Sequence, residues 1–158
     1  MRIRSILSLA ASAAAVMALA TPTQAADNGS YFIQDARTGA CLLTTEGYVG
    51  GQLGACGNDS VWQVRNLPNG SVQLASGREE SRCLGLSPVK IFPPPVFLSP
   101  CGSSPDQWTI AGPDEDGAPV ALRLTELPYM GTLTSREGDD RASLAGNGAP
   151  EWTFTRVG

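Results

Sequence analysis

Residues 41–62 read CLLTTEGYVGGQLGACGNDSVW, and this stretch decides the fold. A Cys41-Leu42 pair opens it, Cys56 lies near its end and Trp62 closes it. Residues 83–108, CLGLSPVKIFPPPVFLSPCGSSPDQW, keep the same order with Cys83-Leu84, Cys101 and Trp108. Residues 132–152, TLTSREGDDRASLAGNGAPEW, keep Thr132-Leu133 and Trp152, with Ala145 or Gly146 in the place of the second cysteine. Trp62, Trp108 and Trp152 are 46 and 44 residues apart, Cys41 and Cys83 are 42 apart, and Cys56 and Cys101 are 45 apart. Markers that recur at one period denote a structural repeat. The repeats span about 30–70, 71–117 and 118–158.

Each repeat divides into four short runs with β character. The first gives Tyr31–Gln34, Cys41–Thr44, Gln52–Cys56 and Trp62–Arg65. The second gives Val72–Ala75, Cys83–Leu86, Val96–Cys101 and Trp108–Ala111. The third gives Val120–Leu124, Gly131–Thr134, Ala142–Ala145 and Trp152–Val157. Many alternate apolar and polar residues, as half-buried strands do. Gly, Pro, Asn and Asp fill the gaps, as in Pro68-Asn69-Gly70 and Gly112-Pro113. A propeller built from four-stranded units usually needs four or more blades. Three units fit a six-stranded barrel capped by three hairpins, a closure that leaves no unprotected sheet edge. The expected fold class is therefore all-β, a β-trefoil of twelve short strands. The three tryptophans are expected in a shared pseudo-threefold core.

The N-terminus carries a different signal. Met1-Arg2-Ile3-Arg4 is basic, Ile6 to Ala20 is apolar, and Thr21-Pro22 leads to small residues at Thr23-Gln24-Ala25. This is the pattern of a secretory signal over 1–25, cleaved after Ala25. It is too short for a spanning anchor and no basic stop-transfer patch follows it. The exported domain is then 26–158, and the protein is expected to be secreted, extracellular and monomeric. Loss of Arg2 and Arg4 leaves nine basic and fifteen acidic residues, a net charge of −6. That balance argues against nucleic acid and anionic membrane surfaces as partners. The signal's style and the preference for Arg over Lys point to a bacterial source. The sequons at Asn28, Asn58 and Asn69 would then be bare turns.

Cys41, Cys56, Cys83 and Cys101 form an even set in an exported chain, which reads as two disulfides. The count alone leaves three pairings open. There is no histidine and no Cys-x-x-Cys pair, so a metal site, a Ser-His-Asp triad and a Cys-His pair have no support. The acidic runs Asp114-Glu115-Asp116 and Asp139-Asp140 lie in turn-forming surroundings and follow no calcium-loop spacing. No enzymatic activity and no cofactor are expected.

The order Cys-Leu, a third strand ending in Cys, then Trp resembles the ricin B-type lectin repeat, and the resemblance covers essentially all of 26–158. It implies the disulfides Cys41–Cys56 and Cys83–Cys101, and a carbohydrate-binding role. Sugar sites in that family take an Asp two residues after the first Cys and a Gln four before the second. A ring near the third strand, and an Asn and Gln before the final Trp, complete them. Here the Asp position holds Leu43, Gly85 and Thr134, and the position two before Trp holds Ser60, Asp106 and Pro150. Only the first repeat keeps a workable set. Gln52 matches the family position, Asp59 replaces the Asn, Asn58 adjoins it, and Tyr48 lies in a loop able to cover a pocket.

Residues 89–96, VKIFPPPV, differ from the polar loops at the same place in the other repeats. Three prolines stiffen the segment into an extended form. Ile91 and Phe92 are expected to fold back onto the barrel mouth. Left exposed, Lys90, Ile91 and Phe92 would make a protein-docking loop of the kind a protease inhibitor needs, with Lys90 as a trypsin-type specificity residue. Lys90 to Pro95 is thus the basis of the alternative partner, a secreted or cell-surface protein. A second candidate loop, Arg78-Glu79-Glu80-Ser81, reads as a plain charged hairpin turn.

Overall fold

In the strand Gly29–Asp35 (β1), every second side chain from Tyr31 turns inward, so Tyr31, Ile33 and Asp35 are buried. The same period-two alternation sends Trp62 and Val64 inward from Val61–Asn66 (β4). This is the side-chain geometry of a pleated strand with one wet face. The computed structural model describes residues 26–47 and 50–158; residues 1–25, where a secretory signal is expected, and Tyr48 lie outside them.

The first repeat is completed by Cys41–Leu42 (β2) and Leu53–Gly54 (β3), which lie between β1 and β4. The second comprises Val72–Ser76 (β5), Arg82–Leu86 (β6), Val96–Pro100 (β7) and Gln107–Ala111 (β8). The third comprises Ala121–Leu124 (β9), Thr132–Ser135 (β10), Ala142–Gly146 (β11) and Trp152–Arg156 (β12). Short 3₁₀ turns occupy Asn58–Ser60 and Pro128–Met130.

The outer strands of each repeat close a ring. β1 pairs with β4, β4 with β5, β5 with β8 and β8 with β9, all antiparallel. The Val120–Trp152 bridge joins the third repeat's own outer strands, and β12 returns to β1 with Tyr31 opposite Arg156 and Asp35 opposite Trp152. The inner strands form three hairpins, β2–β3, β6–β7 and β10–β11. These hairpins bind one another at one end of the barrel. Gly50 N–H donates to the Val96 carbonyl (2.8 Å), Leu144 N–H to Pro94 (2.9 Å) and Ala142 N–H to Gly51 (2.7 Å). Every pair of repeats is therefore tied through the cap.

The core repeats as the sequence does. Trp62, Trp108 and Trp152 are fully buried, and each indole Nε1 donates to a main-chain carbonyl, that of Leu42, Leu84 and Leu133, at 2.8 Å each. An aromatic body and a satisfied N–H allow complete burial of tryptophan. Those leucines face Leu53, Leu98 and Leu144 across their hairpins. Cys41 is bonded to Cys56 and Cys83 to Cys101. In the third repeat, counting from the Leu133–Leu144 pair places Asn147, rather than Ala145 or Gly146, where the second cysteine stands elsewhere. There Thr132 lies against Gly146 across a β-bulge, and a Cβ on Gly146 would meet Thr132 Oγ1 and, at 2.8 Å, its carbonyl. Close backbone approach takes the place of the disulfide.

Strand boundaries depart from expectation mainly in the first repeat. β2 ends at Leu42 because the Thr44 N–H turns to the Asp59 carbonyl (2.7 Å). β3 is confined to Leu53–Gly54, while Gln52 bridges to Arg141 of the third repeat. The expectation that Ile91 and Phe92 fold back is overturned: Ile91 is 52% and Phe92 88% exposed. The Pro94 and Pro95 segment is taken up by the third-repeat hairpin, which leaves the apex ahead of it outside the cap.

Candidate functional site

The premature end of β2 opens a cleft between the first and second repeats. Thr44 donates both its N–H (2.7 Å) and its hydroxyl (3.0 Å) to the Asp59 carbonyl, pinning the chain after β2 to the 3₁₀ turn. On the other wall, Ser76 Oγ accepts the N–H groups of Arg78 and Glu79 at 3.3 Å each, which turns the chain sharply after β5. Gly77 is required there, because a Cβ would lie 2.7 Å from the Val61 carbonyl oxygen. The resulting cleft holds about 540 Å³ and includes Thr45, Glu46, Asp59, Arg78, Glu79 and Arg82, with Leu43 and Leu98 as its apolar part.

Its polar groups are only partly satisfied. Arg78 and Asp59 form an exposed ion pair across the mouth, at 2.6 Å. Arg82 donates one terminal N–H to the Leu98 carbonyl (2.8 Å), but its Nε is buried without a hydrogen-bond partner. Thr45 Oγ1 is likewise buried and unpartnered. A buried donor without a partner costs about 1–3 kcal/mol, a cost that reorientation of these two side chains toward a bound hydroxyl would recover.

The same junction between the third and first repeats carries a smaller cleft of about 260 Å³, lined by Asp35, Arg37, Leu53 and the residues from Ser135 to Asp140. Strand register makes the two clefts equivalent. Asp35 and Ser76 both lie opposite a core tryptophan, so Arg37 corresponds to Arg78, Leu53 to Leu98 and Ser135 to Thr44. Here the arginine is consumed within the protein. Arg37 donates to Asp35 Oδ2 (3.4 Å), the Ser135 carbonyl (3.2 Å) and Ser135 Oγ (3.1 Å), and Ser135 Oγ is in short contact with Asp35. Burial of Asp35 acts to raise its pKa. The Ser135 hydroxyl, the N–H groups of Arg37 and Thr38 and the Arg37 charge outweigh it and hold the carboxyl below the usual range. At the third junction Glu126 takes the arginine's position, and Leu127 and Met130 pack onto the core. The cleft beside Asp59 is the larger of the two.

Of the residues singled out in the sequence, Asp59 lines this cleft. Asn58 is exposed on the same 3₁₀ turn and does not line it. Gln52 is half-buried, its carbonyl accepts the Leu43 N–H (2.8 Å), and it is also outside the lining. Thr45 and Arg82 were not singled out, and Arg78 was read only as part of a charged hairpin turn. Their signal lay in the repeat itself: Arg37 and Arg78 stand four and five residues before the first cysteine of their repeats. Arg78 and Glu79, read as a plain hairpin turn, form one wall. The acidic run Asp114–Asp116 borders another groove of about 430 Å³, with Tyr31, Phe154 and Arg156. Among the described residues no group of three or more acidic or cysteine side chains is placed to hold a metal ion.

No protein-family model matches the sequence, and no curated protein matches it. Solved structures do match. The Rhizoctonia solani agglutinin superposes with a TM-score of 0.64 at 14% identity, over 84% of this chain and 97% of its own. SeviL bound to asialo-GM1 saccharide gives 0.60 at 17% identity, over 84% and 100%. The designed threefold-symmetric protein ThreeFoil gives 0.62 at 16%, over 82% and 100%. The fold is a β-trefoil. Barrel and cap belong to that architecture, which at these identities is what the likeness establishes. Function has to be argued from the site.

Proposed function

We propose that this β-trefoil is a secreted, non-enzymatic carbohydrate-binding protein that takes its sugar in the cleft between the first and second repeats. The observation that carries this reading is the group of polar side chains, Thr45, Glu46, Asp59, Arg78, Glu79 and Arg82, gathered with Leu43 and Leu98 around one cleft of about 540 Å³. A sugar offers hydroxyls that both donate and accept, together with an apolar face. Arg82 Nε seeks an acceptor, Thr45 Oγ1 takes either role, and the Glu46 and Glu79 carboxylates at the cleft accept further hydroxyls. Leu43 and Leu98 suit the apolar face. Tyr48, two residues beyond Glu46 in the chain, is proposed as the stacking ring, whereas Gln52 and Asn58, outside the lining, are given no contact in this cleft.

Two structures of lectin type share the fold, one of them bound to a saccharide. The disulfides suit an oxidising, extracellular setting, which supports the export part of this reading. A glycan array tests the reading. The protein is expected to bind at least one glycan class, and Arg82→Ala and Asp59→Ala to weaken that binding about tenfold or more. Absence of binding across a broad array would overturn it.

A further inference from the structure

Lys90 is the only lysine in the sequence. It stands beside Ile91 and Phe92, two of the few large apolar side chains left exposed among the described residues. The apex they form rests on a fixed base. Ser87 N–H donates to the Pro95 carbonyl at 3.0 Å, closing the loop between β6 and β7. The Pro94 carbonyl accepts from Leu144 N–H (2.9 Å) and the Val96 carbonyl from Gly50 N–H (2.8 Å), so both neighbouring hairpins hold it. Pro93, Pro94 and Pro95 fix φ at three consecutive positions. Ile91 N–H donates to the Val89 carbonyl at 3.1 Å, which sets Lys90 at the tip of a three-residue turn. A segment held in this way loses little conformational freedom on docking.

We propose that this loop enters the active site of a trypsin-like serine protease, with Lys90 in the specificity pocket and Ile91 and Phe92 beyond it, and that the protein inhibits such enzymes. The pocket of these proteases carries a carboxylate that selects a basic side chain. A lone lysine at a clamped apex matches it in charge and reach. Two apolar side chains directly after it supply the anchoring contact that hot spots use. The clamps on both sides of the apex oppose the separation of chain ends that turnover requires. A lipid surface is the weaker partner, since residues 26–158 carry nine basic against fifteen acidic residues and only two apolar side chains reach out from this loop. The loop lies outside the lining of the proposed sugar cleft, so the two functions stand or fall separately.

The test is titration of trypsin with the disulfide-intact protein, read with a small chromogenic substrate. Stoichiometric loss of activity is expected. Lys90→Ala is expected to weaken inhibition about 100-fold, and Phe92→Ala about tenfold. Lys90→Leu is expected to redirect inhibition to a chymotrypsin-like enzyme, a switch that a merely structural lysine does not produce. Unchanged trypsin activity at excess protein overturns the proposal. So does prompt cleavage after Lys90 with full recovery of activity, equal inhibition by Lys90→Ala, or Phe92-dependent binding to vesicles without inhibition.

Discussion

The indole N–H of Trp62 donates to the main-chain carbonyl of Leu42 at 2.8 Å, deep between the barrel and its cap. Trp108 with Leu84 and Trp152 with Leu133 repeat the bond at the same length. Each joins the last strand of a repeat to its second, so three equivalent bonds tie hairpins to barrel.

Trp62→Phe keeps most of the aromatic packing but leaves the buried Leu42 carbonyl without its donor. A loss of about 1–3 kcal/mol is expected from the unmade bond, with a further contribution from the lost ring volume. Urea unfolding of Trp62→Phe, Trp108→Phe and Trp152→Phe is expected to give similar losses. A variant that unfolds at the parent's midpoint would show that its bond contributes nothing.

The two disulfides close loops with sequence separations of 15 and 18. Replacing either pair by serine is expected to cost about 3 kcal/mol in thermal or denaturant unfolding. The third repeat relies on the contact of Thr132 with Gly146 instead. Gly146→Ala forces a methyl group against the Thr132 carbonyl, and about 1–3 kcal/mol of destabilisation is expected. An unchanged unfolding midpoint would show that this strand pair has room to yield.

Asp35 is the buried acid whose pKa is lowered in the folded chain. A group with a depressed folded pKa stabilises the fold above its unfolded pKa of about 3.9, and that stability is lost as pH falls through the folded value. Asp35→Asn is therefore expected to destabilise the protein at pH 7. Its deficit relative to the parent should shrink below about pH 4. A deficit that stays constant across that range in thermal unfolding would exclude the ionised carboxylate as the source.

The repeat made most of the fold legible, because Trp62, Trp108 and Trp152 carry the same burial and the same hydrogen bond wherever they recur. What stayed hidden arose from contacts between repeats. The short β2 depends on Thr44 meeting Asp59, and Gln52 bridges to Arg141, pairings that no local pattern announces. The cleft was half legible. Asp59 stood in a family position, whereas Arg78 and Arg82 join it from the next repeat across the barrel junction. Phe92 was misplaced for a related reason, since its expected cover at the cap is already taken by the hydrogen bonds of neighbouring hairpins.

The Arg78–Asp59 pair is exposed on both sides, so Arg78→Ala is expected to change stability by less than about 1 kcal/mol. Its effect should appear in ligand binding, measured by calorimetry with an array-selected glycan. A large loss of stability with unchanged affinity would reverse the roles given to this pair.

Amide shift mapping by NMR, with an array-selected oligosaccharide titrated into the labelled protein, tests the carbohydrate site most directly. The expected result is a saturable set of shifts centred on Thr45, Glu46, Asp59, Arg78 and Arg82, lost in Arg82→Ala. Shifts confined to other parts of the trefoil, or undiminished in that variant, would contradict the assignment of the cleft.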